Sequence, residues 1–343
     1  MTIRVAVLSL FLLALGGCAY GELVCPEKGG DAWHTLTSEN FVLHTNLDQD
    51  DAVGRAKELE QMHHALAHVL ELDFPLEETK PDPIEIIHFS HREQLERFTG
   101  GSASGFMIKR DGRVIIVTTE SIDKATRNAT LLHELTHRFV AHHMSRYPKW
   151  LTEGLAGFFE SLSVEGGKAR VGKLPPKFRR LWFGNSSFAP SIDALRGMRA
   201  TEFYARKNKH YNYFAAWRLI HYLSNSSGEM NQRFHAYARA LVEGVNEEAA
   251  WQGLFADVPN LEERVRTYRG HRNVTTWTVA YKRPPSRRPA IAKMSDTDVH
   301  LLWAKVASVS PAWKKGQREK NEKRIGDELA LAEAHNPDFK GGA

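Results

Sequence analysis

Two cysteines among 343 residues rule out a disulfide framework as the source of this chain's stability. Long hydrophobic runs are missing too. The apolar stretch from Val5 to Leu15 is well short of the roughly 18 to 20 residues that a membrane-spanning helix needs. A strong charge of one sign is also absent. Lys+Arg number 46 against 41 Asp+Glu, a formal net charge of +5. That surplus is confined to the tail: from Asn273 onward 13 Lys+Arg face 8 Asp+Glu, and the rest of the chain balances at 33 against 33. So small and local an excess reads as a solvated face, and no nucleic-acid partner is expected. What remains is ordinary globular composition, 42% apolar and 25% charged, in a chain long enough for one large or two ordinary domains.

The first residues read as a targeting segment, because Arg4 precedes the short apolar run. The run ends in Leu15-Gly16-Gly17-Cys18, which resembles the bacterial lipobox. The resemblance implies a signal peptide over 1–17, a lipid on the sulfur of Cys18, and attachment to a membrane outside the cytoplasm. Ala19 rather than Asp after that cysteine implies the outer membrane, facing the periplasm. A plain signal peptide or a short buried helix is the alternative. With Cys18 lipidated, Cys25 is the one free thiol, and stability must come from packing, with metal binding as the other available source.

Beyond an expected tether over 18–31, Asn40 to Thr45 and Pro83 to Ser90 alternate like strands, and Asp50 to Leu72 has helical apolar spacing. A short helix is expected from His91 to Phe98. Residues 105–120 form two β-rich runs around Asp111-Gly112, a pair suited to a tight hairpin turn. Helical patterns follow over Thr126 to Met144 and Trp150 to Leu162, and again from Ile192 to about Gly270. The fold class expected is α+β: a small mixed α/β lobe (33–145) with an edge-strand hairpin and a motif helix, then an all-helical lobe (146–270). Pro- and Arg-rich composition marks 271–293 as a linker. Residues 294–343 read as a terminal helix pair, from a Ser295/Asp298 capping box through Val309 and from about Asn321 to His335. The pair resembles one tetratricopeptide unit, and since a lone repeat cannot bury its own face, docking on the body is the other expectation.

The chemistry lies in Leu131-Leu-His-Glu-Leu-Thr-His-Arg-Phe-Val-Ala-His-His143. Residues four apart on a helix project from one face one turn apart, so His133 and His137 can share a tetrahedral ion, with Glu134 able to reach water beside it. In a chain with 17 histidines this spacing also arises by accident, and a third ligand must decide. His143 lies where the metzincin pattern puts a third histidine, but that pattern needs glycine at position 140, and the residue is Val140, which resists the required positive φ. Glu153, in Trp150-Leu-Thr-Glu-Gly-Leu-Ala-Gly-Phe-Phe-Glu160, is the other candidate. A loop at Pro148 could fold its helix back onto the histidines. A capping or surface carboxylate is the bland reading of Glu153, and Glu160 is a weaker candidate one step further out.

HELTH followed by WLTEGLAGFFE resembles the gluzincin zinc peptidases, whose downstream helix bears W-L-x-E-G-x-A. The flanks, Trp33 to His44, Gly105 to Val117 and Tyr213 to Trp217, are similar to the peptidase MA-like domain family over roughly residues 33–270. The resemblance implies one Zn2+ on His133, His137 and Glu153, and Glu134 as general base for a water attacking a peptide bond. It also implies Tyr213 as the oxyanion donor, with Tyr211, His210 and His221 as competitors or plain packing residues. It makes the strand Arg113 to Thr119 an edge that holds extended substrate by β-addition, unless that strand is ordinary core. His64 and His68 repeat the four-residue spacing without the glutamate and read as a solvated face.

The function expected is an envelope-anchored zinc metallopeptidase acting on a peptide or protein substrate. A non-catalytic envelope scaffold on the same fold, or a metal-dependent amidase of cell-wall peptides, remains open. The oligomeric state and the substrate's side-chain preference are not legible.

Overall fold

The computed structural model describes residues 23–336, apart from 74–81, 102–104, 111–112, 121–122, 144–146, 185–187, 206, 269–275, 286 and 312–314, and apart from the side chains of 71–73, 109–110 and 141–143. Cys18, the targeting segment and the Asp111-Gly112 turn lie outside the described residues. No helix among them is long and apolar enough to cross a membrane.

The architecture is α+β. Five strands of a six-stranded sheet come first, β1 (His34–Thr37), β2 (Phe41–Thr45), β3 (Ile84–Phe89), β4 (Phe106–Arg110) and β5 (Arg113–Thr119), with α1 (Gln49–Asp73) and α2 (Arg92–Thr99) between them. The alternation read over 40–45 is real: Phe41, Leu43 and Thr45 are buried while Val42 and His44 are half-buried. The motif helix α3 (Lys124–His143) leads to α4 (Lys149–Phe159). Asp123 caps α3, its Oδ1 accepting from the Thr126 backbone N–H at 3.0 Å. Pro148 opens α4, where a missing N–H costs nothing.

Next come the hairpin β6 (Ser163–Glu165) and β7 (Lys168–Val171) and the short helices α5 (Arg179–Phe183), α6 (Ile192–Arg196) and α7 (Ala200–Phe203). The longer helices α8 (Lys209–Asn225), α9 (Gly228–Val242), α10 (Glu247–Phe255) and α11 (Leu261–Thr267) complete this half. It is therefore mainly rather than wholly helical. The small hairpin extends to a third strand, β8 (Trp277–Ala280), in the order β6-β7-β8. The chain ends with β9 (Ala290–Lys293), α12 (Asp296–Val309) and α13 (Lys315–His335).

Three further expectations need correction. The strand Arg113–Thr119 is not an edge. The sheet runs β4-β5-β3-β2-β1-β9, so β5 is bonded to β4 on one side and to β3 on the other. With both rows of backbone groups used, it cannot accept a substrate strand, and the hairpin's edge is β4. The 271–293 segment is more than a linker. Its composition conceals β8 and β9, and β9 pairs antiparallel with β1 from His34↔Lys293 to Thr37↔Ala290. Finally, residues 25–31 are not a loose tether. Cys25 is buried, Pro26–Lys28 form a short 3-10 turn, and Asp31 Oδ2 accepts from Asn46 Nδ2 at 2.9 Å.

The terminal pair docks on the body. The Ser295/Asp298 capping box is present, and α13 begins six residues earlier than the apolar pattern suggests, because its first turns are polar on every face. Trp303 meets Trp33 edge to face, the Lys305 ammonium binds Glu85 of β3, and Asn321 Nδ2 donates to the Phe98 carbonyl at 2.9 Å. These contacts give the pair a core of its own with the far side of the sheet, including Phe89, Phe98, Val299 and Val306.

Candidate metal centre

Helix α3 buries Leu131, Leu132, Leu135 and Val140, which leaves His133, Glu134 and His137 half-buried on the face that α4 covers. Helix α4 is apolar nearly throughout and lies deep, with Trp150, Leu151, Leu155 and Ala156 all at 1% exposure or less. It packs against both α3 and α8. Gly154 makes the second contact possible. A Cβ there would lie 2.6 Å from Ile220 Cγ1 and 2.8 Å from the Ala216 carbonyl oxygen. The glycine beside Glu153 thus lets α4 sit close enough to α8 to aim that carboxylate at α3.

Three ligand atoms converge. His133 Nε2 and His137 Nε2 are 3.2 Å apart, and Glu153 Oε2 lies 3.6 Å from the first and 3.4 Å from the second. Tetrahedral zinc, with arms of about 2.0–2.1 Å, needs edges of about 3.3–3.4 Å between donors. The triangle is the right size. The donor chemistry fits as well, because Glu153 Oε2 is buried without a hydrogen-bond partner, which an oxygen set aside for a cation explains. The other oxygen, Oε1, accepts from the Tyr204 hydroxyl at 2.5 Å.

The neighbours fix the tautomer. Glu160 Oε2 lies 3.0 Å from His133 Nδ1, and Lys177 Nζ lies 2.8 Å from Glu160 Oε1. With Nδ1–H donating to that carboxylate, the Nε2 lone pair faces Glu153, the arrangement by which metal-binding imidazoles are oriented. Without an ion, the two carboxylates draw a second proton onto the ring. Burial opposes charge at His133, yet Glu153 and Glu160 push it up to about 9. Burial likewise opposes charge on Glu153, and the His133 and His137 rings that face it still hold it well below the usual carboxylate range. Two cation-seeking carboxylates and two imidazoles form one tightly coupled cluster. Glu134 differs from them. Burial lifts its carboxyl above the ordinary value, and the negative charges of Glu153 and Glu160 add to the effect against the attraction of the two histidines.

Of the aromatic candidates, Tyr213 is brought to the site. Burial first and then the Glu153 charge push its phenol well above the ordinary value, and its ring lies 6.4 Å from that of Tyr204. The others are elsewhere. His210 and Tyr211 contact each other's rings and, through Tyr211, Phe188. His221 is a core residue, its Nδ1 3.0 Å from the Tyr268 hydroxyl and its ring against Trp217. His64 is exposed and His68 half-buried, as a solvated face would be, and their Nδ1 and Nε2 atoms also face the Tyr281 hydroxyl and the Ala280 carbonyl at 3.3 and 3.0 Å, at the end of β8. The side chain of His143 lies outside the described residues.

Sequence reasoning missed Tyr204 and Lys177. Tyr204 ends the one-turn helix α7 and Lys177 stands in the short 3-10 turn Pro176–Phe178, 51 and 17 residues from the carboxylates they bind, and no periodicity points to either.

Residues 127–242 match a family model described as a protein of unknown function (DUF1570). That is less than half of the chain, but it contains His133, Glu134, His137, Glu153, Glu160, Tyr204 and Tyr213. No curated protein matches the sequence.

Proposed function

We propose that the chain is a zinc-dependent metallopeptidase of gluzincin type, held at the bacterial outer membrane through a lipid on Cys18 and acting on a peptide or protein substrate. The observation that supports the reading is the His133, His137 and Glu153 triangle with its one unpartnered buried oxygen. An ion there supplies Lewis acidity toward a carbonyl and makes water a better acid.

The remaining chemistry falls to the chain's own residues. Glu134 follows His133 on the same helix, and its raised pKa brings it nearer neutrality, as suits a group that accepts and returns a proton. It takes a proton from the attacking water as the C–O bond forms, then delivers it to the amide nitrogen as the C–N bond breaks. Tyr213, whose phenolate is disfavoured by burial and by Glu153, can donate to the oxygen on which charge develops, while the Tyr204 proton is held by Glu153 Oε1 unless that bond is exchanged. Glu160 and Lys177 hold the His133 ring in place.

The test is metal content and peptide turnover of the purified protein beside Glu134→Gln and Glu153→Ala. Glu134→Gln should keep its metal and lose at least about 100-fold in kcat. Equal turnover by the wild type and Glu134→Gln would replace this reading with a non-catalytic scaffold. Hydrolysis of cell-wall peptides alone would narrow the activity to the amidase.

A further inference from the structure

We propose that Cys25, Glu27 and His300 form a second metal site, for a thiophilic divalent cation of the Zn2+ type, which staples the N-terminal segment to the terminal helix pair. One ligand atom from each of the three lies within 4.8 Å of the others. Cys25 belongs to the core of the terminal helix pair, and the residues that flank His133 belong to the other, larger core. The cluster sits where Cys25 and Glu27 meet the first turn of α12, with Cys25 Sγ and the Glu27 backbone N–H both donating to Asp296 Oδ1 at 3.2 Å.

His300 decides between a buried thiol and a ligand. The residue is 2% exposed. Its Nδ1 lies 2.6 Å from Glu328 Oε2, and Glu328 is itself buried on α13. The remaining nitrogen, Nε2, is buried with no hydrogen-bond partner. A carboxylate on one ring nitrogen and an unsatisfied lone pair on the other is how a protein prepares an imidazole for a metal. A core histidine kept only for packing would leave that polar atom uncompensated.

The donor set names the ion. Sulfur, imidazole nitrogen and carboxylate oxygen together favour Zn2+ over Ca2+ or Mg2+, which take oxygen. Asp296, one helical turn before His300, stands beside the sulfur to complete four-coordination. A spacing of up to 4.8 Å exceeds the roughly 3.5 Å edges around zinc, and the side chain that closes the gap is Glu27, which is exposed and exchanges His335 for the ion. His335, at the end of α13, stacks on His300 and binds Glu27 Oε1 at 3.0 Å, so both helices of the pair meet the N-terminal segment here.

In the metal-free protein, burial and the Asp296 carboxylate push the Cys25 thiol up to about 12. Binding therefore breaks the S–H bond. Its electron pair becomes the sulfur–metal bond, one proton leaves to solvent through Asp296, and no oxidation state changes. Functionally, a clip at this point ties the segment that follows the proposed lipid attachment directly to the folded body.

The experiment is a Co2+ titration of the metal-depleted full chain, read by absorption. Two equivalents should bind, one of them with a thiolate-to-cobalt charge-transfer band in the near ultraviolet. Cys25→Ser should remove that band and one equivalent. Glu27→Gln, a near-isosteric change at an exposed position, should keep the band but weaken its binding about tenfold or more. Glu153→Ala should lose only the equivalent without the band, so failure of the His133 centre is seen separately. Absence of a sulfur band at saturating Co2+, or equal stoichiometry for Cys25→Ser and wild type, would overturn the proposal.

Discussion

At the scale of single residues, the site depends on where one carboxylate oxygen points. Glu153 Oε1 is taken by Tyr204, and Oε2 is left between two imidazoles. Gly154 sets that aim through the contact of α4 with α8. Gly154→Ala should therefore destabilise the protein by about 1–3 kcal/mol, because the new methyl meets a backbone carbonyl that cannot give way. Gly157→Ala, whose Cβ would make only ordinary contact at 3.6 Å with Trp217, should change stability far less. Urea denaturation of the two variants checks the contrast. The phenols can be separated in the same way. Removing the hydroxyl that stabilises the oxyanion should cost about 10- to 1,000-fold in kcat with little change in KM. Comparing Tyr204→Phe with Tyr213→Phe identifies the donor. Tyr204→Phe should also weaken metal binding, since it strips a hydrogen bond from Glu153, whereas a pure oxyanion donor leaves metal affinity intact.

At the scale of elements, the pH response belongs to the contact between β3 and α12. Burial opposes ionisation of Glu85, but hydrogen bonds from His44 and Lys305 bring it down to about 2, from its ordinary 4.5. A folded-state value below the unfolded one stabilises the protein fully above pH 4.5 or so, and that contribution is lost as the pH falls toward 2. Lys305→Met should cost about 1 kcal/mol at pH 7, a modest figure because the lysine is partly exposed. The gap to wild type should narrow between pH 4.5 and pH 3; a gap that stays constant with pH would remove the ion pair from the account. The elements themselves were legible wherever periodicity was strong. Strands β2 and β3 and helices α1 to α4 lie within a few residues of their sequence-read limits. Neighbours in the sheet were not legible, since a strand's pattern says which face is buried but not which strands flank it. That is why Arg113–Thr119 read as an edge, and why β9 was hidden in a stretch rich in proline and arginine.

At the scale of the whole molecule, the chain forms two cores on opposite sides of one sheet. The larger joins the sheet to α3, α4 and α8 and carries the His133 centre. The smaller joins it to α12 and α13 and is sealed by the N-terminal segment. The metal-binding spacing was readable because a local helix sets it, and Glu153 could be matched because its motif is contiguous. Tyr204, Lys177 and the Cys25 cluster were not readable, since each is assembled from segments that only the tertiary fold brings together. The account's central claim is that His133, His137 and Glu153 hold one ion. It is tested most directly by zinc affinity in a Cys25→Ser background, where the second site cannot contribute. There the chain should bind one zinc per molecule, and adding Glu153→Ala should weaken that binding at least about 100-fold. Undiminished zinc affinity after removal of the Glu153 carboxylate would contradict it.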